Sequence, residues 1–143
     1  MQITSRFTIA IHILTAIDYF IDTEKVTSNF LAGSIGANPV IVRNVMGCLK
    51  EKGMIEISQG KSGISLAKSL EDITFYDVYK AVDFADEQGI FHFHEKPNPN
   101  CPVGSNIHKA LDGKLMQVQD AMEAEMKTIT VADVASDIEK LTE

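Results

Sequence analysis

The sequence predicts a mostly α fold with one small β-hairpin, and three observations carry that prediction. Apolar residues recur at spacings of three and four over most of the chain. Ser, Thr, Asn, Pro and Gly punctuate those stretches where helix ends need them. Residues 54–67 replace the helical period with two short alternating runs around a glycine-rich turn.

In chain order, residues 3–22 form the first helix, with Phe7, Ala10, Ile11, Leu14, Ile17 and Ile21 on one face. Ser5 and Arg6 stand at its start, where open N–H groups can also hold a phosphate. Thr27 and Ser28 open a short helix over residues 29–34, with Phe30, Leu31 and Ile35 inward. Gly36 makes the turn into the next helix. Two short helices across a glycine turn, with a longer one behind, form a three-helix core.

The stretch from Asn38 to Ala67 organises the rest. Asn38 caps the third helix, and Pro39 takes the first position, where no N–H is needed. Gly53 closes it after Lys50 and Lys52, which suit the negative end of the helix dipole. Val42, Val45, Met46 and Leu49 make its apolar stripe, leaving Arg43, Asn44, Gly47 and Lys50 outward. Cys48 falls between the two faces and reads as a small buried filler. The hairpin follows at once: Met54–Ser58 and Ile64–Ala67, joined by Gln59-Gly60-Lys61-Ser62-Gly63. A capped helix with a basic, amide-bearing face followed by a basic hairpin is a winged helix-turn-helix. Such a helix fits a DNA major groove, and the hairpin tip reaches the backbone or minor groove. Arg43 and Asn44 suit guanine and adenine, while Gln59, Lys61 and Ser62 at the hairpin tip suit phosphates.

Beyond the hairpin, Thr74 caps a helix through Phe84, with Phe75, Val78, Tyr79 and Val82 inward. Residues 85–104 then carry prolines at 97, 99 and 102 and read as an irregular loop. Ser105 or Asn106 caps the longest helix, to about Lys127. Its apolar residues Ile107, Leu111, Leu115, Val118, Met122, Met126 and Ile129 hold an eleven-residue period. A helix so apolar, past a complete core, is expected to pack on its symmetry mate. Thr130 and Asp133 form a capping box for a last short helix, with Val134, Ile138 and Leu141 inward. The organisation is therefore a winged helix-turn-helix region with linking helix (1–84), a sensor-type loop (85–104), and a dimerisation helix with short C-terminal helix (105–143).

Charge divides along the same line. The chain carries −7 overall, but residues 1–70 hold +2 and residues 71–143 hold −9. A mildly basic first half can meet phosphates while the acidic second half faces away. No signal peptide and no membrane-length apolar run is visible, and two cysteines are no disulfide framework, so a cytoplasmic protein is expected.

The chain resembles the Rrf-two family of bacterial winged-helix transcription regulators over nearly its whole length. The likeness rests on S-R-F-T-I-A-I-H-I-L, N-P-V-I-V-R, L-K-E-K-G-M-I and N-P-N-C-P-V-G-S-N-I-H-K-A-L. It implies a homodimer on a palindromic double-stranded DNA operator, acting as a repressor, with a small-molecule or oxidant effector. The DNA-contacting positions it suggests are Arg6, Ser28, Asn38, Val40, Arg43, Asn44 and the hairpin tip at 59–62. The dimer positions are Ile107, Leu111, Leu115, Val118, Met122 and Met126. Cluster-binding members hold iron–sulfur with three loop cysteines; here the loop has only Cys101, so no cofactor is expected. The wing also departs, with Gly60-Lys61-Ser62-Gly63-Ile64 where the family often has glycines and an aromatic.

Cys101 lies near the positive end of the long helix, which favours a thiolate and suits an oxidant sensor; a bystander surface cysteine is the competing reading. His92, His94, Cys101 and His108 could alternatively form a metal site, making the protein a metal binder or a metal-dependent enzyme.

Overall fold

A computed structural model describes residues 3–58, 63–83 and 90–143. Helix α1 (Ser5–Phe20) is the scaffold, capped by the Thr4 hydroxyl, which accepts from the Arg6 N–H. Helices α2 (Ser28–Ile35) and α3 (Pro39–Glu51) pack on it and on each other. The turn between them is Gly36, whose φ of 75° suits a residue without a side chain. Strands β1 (Ile55–Ile57) and β2 (Ile64–Leu66) pair antiparallel in the register Ile55↔Leu66, Glu56↔Ser65 and Ile57↔Ile64. The hairpin is stitched to the body where the Ile64 N–H donates to the Val26 carbonyl at 3.0 Å.

A one-turn 3-10 helix (Leu70–Asp72) leads into α4 (Phe75–Val82). Long helix α5 (Ile107–Met126) follows, then α6 (Val131–Thr142), which folds back onto α1. Ile13, Leu14 and Ile17 of α1, Leu31 of α2, Val42, Val45 and Leu49 of α3, and Val78 and Tyr79 of α4 meet in one core. Each such side chain taken from water contributes about 1.5–3 kcal/mol, so the rotation of α3 about its axis is firmly held.

Helices α4 and α6 begin side by side. The Phe75 N–H donates to the Ile129 carbonyl at 2.8 Å, and the Val131 N–H to the Ile73 carbonyl at 2.9 Å. Each start carries a reciprocal cap, Thr74 with Asp77 and Thr130 with Asp133. Helix α6 packs on α1, while α5 rests on the core through Met122 and Met126.

Four expectations need correction. Ile21 lies past the end of α1 and is 50% exposed, because the chain turns away there; Ile13 is buried instead. Leu141 is 84% exposed, since none of the described residues covers it at the last turn of α6. Asn106 precedes α5 but does not cap it; its amide donates to the Pro102 carbonyl at 2.8 Å and closes the preceding turn. Helix α4 ends at Val82, and Phe84 lies outside the described residues.

Candidate nucleic-acid interface

The first turn of α3 is held by its own cap. The Asn38 side-chain oxygen accepts from the Val40 N–H at 2.8 Å, and Pro39 begins the helix. With Val42, Val45, Met46 and Leu49 buried, the opposite face must point outward. At about 100° per residue, Val40, Asn44, Gly47 and Glu51 centre that face. Arg43 and Lys50 flank it on one side and Ile41 on the other. Val40 is 59% exposed and Ile41 43%, and both lie near the helix N-terminus.

Arg43 and Lys50 border a groove of about 510 Å³ between α3 and the hairpin. Lys25, Ser28, Gly47, Ser58 and Gly63 line it too. Three cationic side chains therefore ring a concave surface with no carboxylate among its lining residues. Gly47 matters to the shape: a Cβ there would meet nothing of this chain within 4 Å. Of the residues expected to touch DNA, Ser28 and Arg43 line this groove, while Asn38, Val40 and Asn44 lie on the exposed side of α3. The hairpin-tip residues Gln59, Gly60, Lys61 and Ser62 lie outside the described residues.

Arg6 stands elsewhere. Its Nε donates to the Val82 carbonyl at 3.3 Å, and its Nη2 to the Cys48 sulfur at 3.3 Å. Two of its nitrogens thus join α1 to the ends of α3 and α4, which also leaves Cys48 half-buried rather than fully so. Asp83 reinforces the same junction: buried, it accepts from the Thr4 hydroxyl at 2.8 Å. Lys25 and Ile41 were not foreseen. The helical wheel that buries Val42 and Val45 excludes Ile41 from the core, so its signal was available; Lys25 reaches the groove only through the fold.

The second candidate region is the loop before α5. Backbone N–H groups of Gly104 and Val103 point at the Cys101 sulfur and hold its thiol below the usual range. The His108 ring lies between two oxygens, with Nδ1 3.1 Å from Asp112 Oδ1 and Nε2 3.1 Å from the His94 carbonyl. Those two contacts strap the loop to α5. Among the described residues no three His, Cys, Asp or Glu side chains converge on one point.

On α5, none of the described side chains is buried within one chain. Ile107, Leu111, Leu115, Met122 and Met126 are half-buried, the two methionines against the chain's own core. Val118 and Met116 are 54% and 66% exposed. No helix among the described residues is long and apolar enough to cross a membrane.

Comparison with known proteins bears on both regions. The model of a family described as "Rrf2: Iron-dependent Transcriptional regulator" matches residues 3–137. YwnA of Bacillus subtilis (strain 168), a candidate HTH-type transcriptional regulator, is 41% identical over 93% of this chain and 96% of its own. The crystal structure of a candidate DNA-binding protein superposes with a TM-score of 0.70 at 38% identity, over 91% of this chain and 98% of that one. CymR (YrzC), the global cysteine regulator of B. subtilis, shares the fold with a TM-score of 0.69 at 15% identity, over 95% and 97% of the two chains.

Proposed function

Because this chain belongs to the Rrf2 family of DNA-binding transcriptional regulators, we propose that it works as a homodimeric repressor on a palindromic operator. The observation that carries this is the outward face of α3. It is locked in rotation by four buried side chains, capped at Asn38, and bordered by Arg43, Lys50 and Lys25 in a groove against the hairpin. Arg43 and Asn44 read base edges, Lys25 and Lys50 sit on phosphates, and the hairpin tip follows the backbone. The half-exposed stripe of α5 meets its mate and sets two α3 helices about one turn of DNA apart, roughly 34 Å.

The residues present do not fit an iron site. One loop thiol, with no three donor side chains converging among the described residues, leaves iron without a ligand set. Control is assigned instead to Cys101, whose thiolate is favoured by two backbone N–H groups. Oxidation or alkylation there would change the packing of the loop that joins the winged body to α5.

The test is a selection of duplexes from a random pool, followed by titration of the winning sequence at several salt concentrations. Arg43→Ala should lose base preference. Lys61→Ala should weaken all sequences alike and lower the salt slope by about one. Diamide should weaken the parent and leave Cys101→Ser unchanged. Parent-like binding by both basic variants would defeat the winged-helix assignment, and a diamide response in Cys101→Ser would defeat the thiol switch.

A further inference from the structure

Two exposed side chains on α3 make no sense as folding elements. Val40 and Ile41 are apolar, β-branched and adjacent, and they stand 59% and 43% exposed on the first turn. Valine and isoleucine are mediocre helix formers at a surface position, because the preceding turn restricts their rotamers. Neither contributes to the buried core, so folding alone would favour alanine or a charged residue at both. Exposed side by side, they are free to meet something outside the chain.

Their position says what that is. They lie at the N-terminal end of the outward face, the part of such a helix that meets base edges. Each Cα–Cβ bond in a helix tilts toward the N-terminus, so both side chains project ahead of the helix. The Asn38 cap and Pro39 fix the backbone they stand on, so little ordering remains on binding. Arg43 lies one turn further on beside the hairpin groove, its Nε donating to the Pro39 carbonyl at 3.4 Å, and it leaves both exposed. In the major groove the apolar feature on a base edge is the C5-methyl of thymine, which a branched aliphatic side chain contacts directly.

We propose that Val40 and Ile41 read thymine methyl groups, so each half-site carries one or two thymines beside the bases read by Arg43 and Asn44. This rests on the operator-binding function above and adds to it the identity of the bases at the leading end of α3. The same contact would accept 5-methylcytosine and reject cytosine at those positions.

The experiment replaces thymines of the selected operator, one at a time, with deoxyuridine, which lacks only the methyl group. Burying one methyl is worth about fourfold in affinity, so one or two positions per half-site should lose about that much. In the variant carrying Val40→Ala and Ile41→Ala, the difference between thymine and uracil at those positions should vanish. Both substitutions are exposed and favour helix, so the variant folds, and circular dichroism verifies it. Equal binding of every uracil-substituted operator would overturn the assignment, as would an alanine variant that still distinguishes thymine from uracil. If the parent enriches no duplex at all, operator binding itself has failed; a parent that binds but ignores the methyl refutes only the thymine contact.

Discussion

Gly47 offers a quantitative check on whether the outward face of α3 is free of its own chain. Glycine in mid-helix costs about 0.8–1 kcal/mol relative to alanine, through backbone entropy. A Cβ at this position would touch nothing within 4 Å, so Gly47→Ala has no steric term to set against that gain. For a chain of this size, a gain of about 1 kcal/mol raises the melting temperature by roughly 3–4 °C. Gly63→Ala supplies the opposite case. Its φ is +64°, and a Cβ would approach the Val26 carbonyl oxygen to 2.5 Å, where the Ile64 N–H also bonds. Left-handed backbone costs about 1–2 kcal/mol for alanine, and losing that hydrogen bond costs about 1 more. Thermal unfolding at a fixed protomer concentration measures both. Were Gly47→Ala to lower the melting temperature, or Gly63→Ala to leave it unchanged, the geometry described for α3 and the hairpin would be wrong.

Three further outcomes are expected. Val118→Glu places a charge on an exposed apolar position of α5 and should shift sedimentation from dimer to monomer; an unchanged mass would remove that residue from the seam. Cys101, its thiol pKa held down by the Gly104 and Val103 N–H groups, should react with iodoacetamide at neutral pH faster than Cys101 of the urea-unfolded chain, and equal rates would contradict the contact. His12, whose pKa is pushed down by partial burial against Ser34, binds its proton more readily when unfolded. Stability should therefore fall as the pH drops below about 6.5, and His12→Asn should flatten that decline in urea midpoints between pH 7.5 and 5; an unaltered decline would exclude His12 as its source.

Local chemistry was legible in the sequence, and reach across the chain was not. Asn38 with Pro39, and Thr130 with Asp133, announce helix starts because a cap is satisfied within four residues. The buried stripe of α3 follows from its period alone. Ile21 and Leu141 fit their periods equally well and are exposed, because a period says which way a residue points and not whether a neighbour extends that far. Arg6 has partners 42 and 76 residues away, a pairing no spacing rule contains. The 3-10 turn at Leu70–Asp72 is too short to carry any period.

The pairing of Ile73–Phe75 with Ile129–Val131 gives the chain an unusual connectivity. Everything between Val82 and Ile129 is an excursion that leaves from one end of α4 and returns to the other. Eight residues of helix span about 12 Å, so the handle is no wider at its root than a single helix. Arg6 and Thr4 pin the departing strand of that root, and two interlocked caps pin the returning one. Helix α5 is therefore joined to the winged body at a narrow, doubly fastened neck, with Met122 and Met126 resting on the core beside it. Replacing the excursion with a short linker should leave a winged body that still closes on itself and keeps the outward face of α3 in place, which circular dichroism and thermal unfolding would check.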